Sequence, residues 1–168
     1  RAEAETRFFI NDDKPDAEQI LVSKEELNTD KVWSFIRKIN PDLLISYGVH
    51  FLTEETLSFC KGEKWNIHGG LSPWYRGCIT HFWPSYFLEP QMTGMTIHDL
   101  SQEIDAGKVI HQNAAPLVKG DGLHDLGCRA VDGIRQELPE FINQLNNKGK
   151  LEKKAHKTTG RIWTAKDW

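Results

Sequence analysis

Long apolar runs are missing from this sequence. No stretch approaches the roughly 20 residues a helix needs to cross a bilayer, and the charged opening Arg1-Ala2-Glu3-Ala4-Glu5 does not read as a secretory signal. Cysteine is scarce. Cys60, Cys78 and Cys128 are an odd number at unpaired spacings, which argues against a disulfide framework and fits a reducing cytoplasm, each thiol being expected as a small buried or half-buried side chain. An excess of charge of one sign is also missing: 21 basic against 24 acidic residues give a net charge of −3. That leaves no electrostatic footprint for a polyanion and disfavours nucleic acid as a partner. Internal repeats and low-complexity tracts are absent, and 168 residues are enough for one domain that buries roughly 70% of its unfolded surface.

What the chain does have is alternation of elements. Asn28 or Thr29 can cap a helix whose apolar stripe is Val32, Phe35, Ile36 and Ile39, and Pro41 closes it because the residue before a proline avoids the helical basin. Residues 42–47 form a short continuous apolar run, the pattern of a strand buried on both faces of a parallel sheet, and Gly48 follows. Thr53 can cap a short helix with Glu54 and Glu55 in its first turn, and residues 64–68 are the next strand. Strand, helix and strand in succession imply a doubly wound α/β fold, in which ligands gather at the carboxyl ends of the strands. Tyr47-Gly48-Val49-His50 and the pair Asn66 and His68 lie at such ends.

The flanks read less sharply. Residues 1–24 suggest the tail of a helix, a strand candidate Phe8-Phe9-Ile10, an acidic loop Asn11-Asp12-Asp13 and an apolar piece Ile20-Leu21-Val22. Residues 79–88 suggest a helix limited by Pro84, and β-like segments at 95–100 and 108–112 flank a sharp turn. A helical pattern runs from 123 to 145 through Leu126, Ile134, Leu138, Phe141, Ile142 and Leu145, where Pro139 predicts a kink or a break into two helices. The basic stretch 148–157 and Arg161-Ile162-Trp163 read as an appended β segment or a linker, so the domain is assigned to 1–147 and an extension to 148–168.

The chemistry centres on residues 64–77. The strand ends at Asn66 and His68, two apart and therefore on one face, before the chain dissolves into Gly69, Gly70, Pro73 and Gly77. Asp105 stands at the later turn, between Ile104 and Ala106-Gly107. An amide, an imidazole and a carboxylate suit acyl transfer to an amine. Asn66 can donate to the oxygen that becomes negative, His68 can take or relay the proton, and Asp105 can fix the imidazole tautomer and favour its charged form. Taken alone, each residue has a plainer reading as a turn, surface or core residue.

In order and spacing these residues resemble the folate-dependent formyltransferases, which include glycinamide ribonucleotide, methionyl-tRNA and nucleotide-sugar formyltransferases and formyltetrahydrofolate hydrolase. The resemblance rests on Asn66-Ile67-His68, Pro73-Trp74-Tyr75-Arg76-Gly77, Thr96-Ile97-His98, Ile104-Asp105-Ala106-Gly107 and the upstream Pro41-Asp42-Leu43-Leu44-Ile45, and covers roughly residues 31–145. One departure is local. The family's Ser-Leu-Leu-Pro is here Gly70-Leu71-Ser72-Pro73, so its first hydroxyl is absent or has moved to Ser72.

The resemblance implies an α/β, Rossmann-like, mostly parallel sheet with flanking helices, whose first strands would precede Arg1. It implies 10-formyltetrahydrofolate as co-substrate, held between Val49, His50, Phe51 and Leu52 on one side and Leu100, Ser101, Gln102, Glu103 and Ile104 on the other. It makes Asn66, His68 and Asp105 the catalytic trio and brings a small-molecule amine, favoured here as a nucleotide-linked amino sugar, past Ser72, Trp74, Arg76 and His81. Arg76 could grip an acceptor phosphate or carboxylate, or equally hold its own loop by bonding backbone carbonyls. Methionyl-tRNA formyltransferase, formyltetrahydrofolate hydrolase and a folate-binding module without turnover are the alternatives, and a homodimer is compatible with the chain. His81, His98, His111 and Cys78 match no usual zinc spacing, so no metal is expected.

Overall fold

The computed structural model describes residues 1–9, 16–156 and 160–167. A 4-stranded sheet holds β1 (Leu43–Tyr47), β2 (Glu63–His68), β4 (Gly94–Asp99) and β5 (Val109–Ala114) in the order β1-β2-β4-β5. β1 and β2 are parallel, and β4 is antiparallel to both β2 and β5, so β1, β2 and β5 run one way and β4 the other. This is the α/β sheet with flanking helices that the alternation of elements implies. Helix α2 (Asp30–Ile39) precedes β1, and α3 (Glu54–Ser58) makes the crossover from β1 to β2.

Local chemistry accounts for most boundaries. Thr53 Oγ1 accepts from Thr56 N at 3.2 Å and so caps α3. Thr29 takes the extended N-cap position of α2 without a side-chain cap, and Asn40 in the left-handed region ends that helix before Pro41. Asn28 is used elsewhere: its amide donates to Phe51 O at 2.9 Å and its oxygen accepts from Thr53 N at 2.9 Å, pinning the loop after β1.

The long helix α5 (Leu123–Lys148) lies across one sheet face. Leu126, Ala130 and Ile134 meet Trp65, Met95 and Ile97 there to form the main core, with Leu138, Phe141 and Leu145 at its margin. Pro139 does not divide the helix in two. It is solvent-exposed, so the missing N–H falls on the outer side, where water can satisfy the turn. The N-terminal strand candidate is also corrected. Phe8 and Phe9 belong to helix α1 (Ala2–Phe9), because a helical continuation sets buried Ala4 and Phe8 on one face toward α5, with the Phe8 ring under the Arg129 guanidinium at 5.2 Å. Ile10 and the acidic loop 11–13 lie outside the described residues. β1 is not buried on both faces: it is an edge of the sheet among the described residues, and Ile45 and Tyr47 stay exposed.

A second, 2-stranded sheet pairs β3 (Tyr75–Gly77) in parallel with β6 (Arg161–Trp163). After β3 the expected helix over 79–88 shrinks to one turn, α4 (Trp83–Tyr86), with Pro84 in its first turn. Trp163 stacks on Trp83 at 4.2 Å, and these rings with Tyr75 make a small second core. Lys154 bridges Val109, with N to O distances of 2.8 Å both ways, and Lys153 reaches Asp99 at 2.7 Å and Glu63 at 2.5 Å. The described part of the segment after α5 is thus bonded to β5 and β3. Among the described residues no helix is long and apolar enough to cross a membrane. Cys60 and Cys128 are buried as expected, but Cys78 is exposed, since it follows β3 at a corner of the second sheet.

Because Pro139 is exposed and the helix runs through it, Pro139→Ala should raise the unfolding free energy by about 1–3 kcal/mol. A denaturant midpoint that does not rise would show that the proline ring itself contributes packing at this turn.

Candidate active site

Side chains alternate across the main sheet, so one face is apolar toward α5 and the other carries polar groups. The register places Ser46 beside Asn66 and Asn66 beside His98, while the intervening residues Trp65 and Ile97 enter the core. Asn66 and His68 share the polar face at the carboxyl end of β2. Asp105 arrives from the turn between β4 and β5 in the left-handed region, φ 47°.

These residues meet. His68 Nδ1 is 3.3 Å from Asp105 Oδ2. Asn66 Nδ2 is 3.4 Å from Asp105 Oδ1 and 3.2 Å from His98 Nε2. Gly77 N donates to Asp105 Oδ2 at 2.7 Å, and His98 Nε2 stands 3.4 Å from Oδ1. His68 Nε2 lies 2.7 Å from the Tyr75 carbonyl, which requires an N–H there and leaves Nδ1 facing the carboxylate. A proton arriving on His68 would sit on Nδ1, between the ring and Asp105. The contact with Tyr75 needs Gly70: a Cβ there would fall 2.4 Å from Tyr75 O and 2.7 Å from His68 Nε2.

Burial draws the His68 pKa below its ordinary value, against the opposing pull of Asp105 and of the Tyr75 carbonyl. For Asp105, burial works to raise the pKa, but the neighbouring His98 and His68 rings and the Gly77 N–H together hold it below the usual carboxylate range. The site at neutral pH is therefore a neutral His68 beside an ionised Asp105.

His98 is the member to which sequence reasoning assigned no catalytic or binding part. It is 2% exposed, and its Nδ1 lies 2.7 Å from the Asp99 carbonyl. The motif Thr96-Ile97-His98 was visible, but only the antiparallel register of β4 on β2 puts the ring beside Asn66.

The residues expected on the acceptor side fare unequally. Trp74 is exposed. Arg76 takes the second of its two readings: its guanidinium is buried at 2% exposure, Nε and Nη2 both donate to the Ile104 carbonyl, and Nη2 lies 2.9 Å from Glu103 Oε1. A fork spent on the loop that carries Asp105 does not reach out to an acceptor. Ser72 is buried as well, its N–H on Thr96 Oγ1 and its carbonyl on Gln112, with no partner for its hydroxyl among the described residues. His81 turns inward toward Met95 Sδ at 3.2 Å, between Gly69 and Gly127.

The expected folate loops are both at the surface. Val49, Phe51 and Ile104 are exposed apolar side chains, His50, Ser101, Gln102 and Glu103 are exposed polar ones, and Leu52 and Leu100 are half-buried. A recess of about 820 Å³ lined by Asp42, Lys61, Glu63, Asp99, Asn143 and Asn146 lies at the opposite end of β1 and β2 from Asn66 and His68. His111 binds Glu137 at 2.8 Å, so His81, His98, His111 and the exposed Cys78 stand at separate places rather than around one centre.

Residues 4–142 match the family described as "Formyl transferase". The chain belongs to this formyl transferase family. It is 30% identical over 128 residues to methionyl-tRNA formyltransferase of Thermotoga neapolitana, covering 75% of this chain and 40% of that protein. The chain thus spans less than half the length of that curated relative. Among solved structures, a sugar N-formyltransferase from Shewanella superposes with a TM-score of 0.69 at 22% identity, covering 84% of this chain and 55% of that one. The formyltransferase PseJ from Anoxybacillus kamchatkensis, in complex with a UDP-linked formamido sugar and tetrahydrofolate, superposes with a TM-score of 0.67 at 23% identity, covering 99% of this chain and 82% of that one. At these identities the structural likeness establishes the fold.

The buried histidines set an acid limit on stability. Burial pushes the His81 pKa from 6.5 down to about 4, and His68 is also lowered. Between those values the unfolded imidazole binds a proton that the folded one does not, so stability rises with pH across that window and falls as pH drops from 6.5 toward 4. The thermal midpoint should follow this slope, and His81→Gln should flatten it. An unchanged slope in that variant would remove burial of His81 as the cause.

Proposed function

We propose that the protein transfers a formyl group from 10-formyltetrahydrofolate to the primary amine of a small-molecule acceptor, with a nucleotide-linked amino sugar as the favoured class. The observation that carries this reading is the convergence of Asn66, His68 and Asp105 from two separate turns. The amine nitrogen attacks the formyl carbon and the carbonyl oxygen becomes negative. An Asn66 N–H stabilises that oxygen. His68 Nδ1 takes the proton the amine must lose, and Asp105 steadies the resulting imidazolium. The bond from the formyl carbon to the folate nitrogen then breaks, and tetrahydrofolate leaves carrying a proton.

In this reading the pterin lies between loops 49–52 and 100–104, whose exposed Val49, Phe51 and Ile104 offer apolar surface that a planar ring would cover. The acceptor approaches past Trp74. Arg76, Ser72 and His81 act by holding the walls of the site and not by touching the acceptor. Residues 148–168 form an extension to the catalytic domain, a reading supported by the Lys154 bridge and by β6.

The balance of 21 basic and 24 acidic residues favours a small acceptor. A second reading, transfer to methionyl-tRNA, is supported by the names of curated relatives at 30% and 31% identity. The two separate on incubating the full-length protein with the formyl donor and either nucleotide-linked amino sugars or methionyl-tRNA, and identifying the formylated product by mass.

Asn66→Ala and His68→Ala should each lower kcat by about 10²–10⁴-fold while leaving affinity for a folate analogue nearly unchanged. Release of formate without any amine would replace transfer by hydrolysis, and folate binding with no turnover under any condition would overturn the enzymatic reading.

A further inference from the structure

Ser46 is the one buried hydroxyl residue within the apolar strand β1, and it is 4% exposed. A buried hydroxyl on a strand is costly unless it is bonded. Its Oγ stands 2.7 Å from Asn66 Oδ1 and 3.4 Å from the Trp65 carbonyl.

That short contact closes a chain of hydrogen bonds across neighbouring strands. The Asp99 carbonyl, 2.7 Å from His98 Nδ1, requires an N–H at that nitrogen. In the neutral ring Nε2 is then an acceptor, and it lies 3.2 Å from the Asn66 amide. The other neighbour on that side is Asp105 Oδ1, also an acceptor. Two acceptors demand the NH₂ end of the carboxamide, so its oxygen must turn to β1, where the Ser46 hydroxyl is ready to donate.

Without that hydroxyl, Oδ1 would be buried against a strand with no donor from this side chain. The carboxamide would then lose the contact that distinguishes its two ends from the β1 side. We propose that Ser46 is a positioning residue for formyl transfer: it fixes the orientation of Asn66 so that the amide N–H groups, not the oxygen, face the reacting carbonyl. This rests on the assignment of Asn66 as the oxyanion donor. Ser46 itself touches no substrate. Its place in the fold explains why it can act so: the parallel register sets it directly beside Asn66.

The test compares wild type, Ser46→Ala and Ser46→Cys in the full-length protein with the formyl donor and whichever amine wild type accepts. Ser46→Ala should lower kcat about tenfold, the scale of one hydrogen bond, with KM for the folate unchanged. Ser46→Cys keeps the size but donates weakly and should fall between the two. In an Asn66→Ala background, Ser46→Ala should have no further effect on kcat, a coupling that a merely structural role would not produce. A wild-type kcat in Ser46→Ala, or in Ser46→Cys if the alanine variant does not fold, overturns the proposal. So does an equal loss from Ser46→Ala with and without Asn66. Absence of formyl transfer by wild type would instead remove the functional reading on which the proposal stands.

Discussion

The carboxylate of Asp105 is the point at which otherwise separate pieces of the chain are tied together. It sits at a turn in the left-handed region, which few residues other than glycine enter easily and which aspartate tolerates better than most. It accepts from the Gly77 backbone at 2.7 Å and faces Asn66, His68 and His98 at 3.3 to 3.4 Å. A half-buried negative charge is stable only when donors surround it. Here the donors are Asn66 of β2 and Gly77 of β3, so the requirement of one charge fixes the mutual placement of the two strands. The lowered pKa of Asp105 is the electrostatic expression of the same arrangement.

The second sheet belongs to this account. β3 would be a three-residue strand with nothing to hold it, yet its Gly77 supplies the shortest bond to Asp105 and its Arg76 holds the Ile104 carbonyl at 2.8 Å. β6 pairs with it, and the stacked Trp83 and Trp163 fasten the pair. Close approach is built in: Gly77 lies so near the Trp163 carbonyl that a Cβ would come within 2.1 Å of it. The segment after α5 thus reaches the site indirectly, through the strand whose backbone anchors the carboxylate.

Much of this was legible in the residues. Thr53, Pro41 and Gly48 mark their boundaries by local chemistry, and period-2 spacing puts Asn66 and His68 on one face whatever lies beyond. What was hidden depends on register. Nothing in the apolar run 42–47 says that it forms an edge here, since burial is a property of neighbours. Nothing in Thr96-Ile97-His98 says that its histidine abuts Asn66 until β4 is laid antiparallel on β2. Arg76 had two equal chemical outlets, and three-dimensional proximity to Ile104 decided for the loop. Phe8 and Phe9 have strand propensity, but packing against α5 overrides it.

The readiness of His68 to hold a proton follows from a contest rather than from one neighbour. Burial and the charge of Arg76 both oppose an imidazolium, while Asp105 and the Tyr75 carbonyl favour it. Arg76 cannot relax away, because its guanidinium is clasped by Ile104 and Glu103. Glu103 is 65% exposed on its side chain and is screened by water, so it offsets the arginine only weakly at the ring. The ring is consequently neutral in the resting site, and an imidazolium formed there would be stabilised by the nearby carboxylate. A fixed cation in place of the neutral ring would hold Asp105 ionised but could take up no further proton. The tautomer imposed by Tyr75 therefore does more than orient the ring: it leaves the nitrogen that faces Asp105 as the one able to take up a proton.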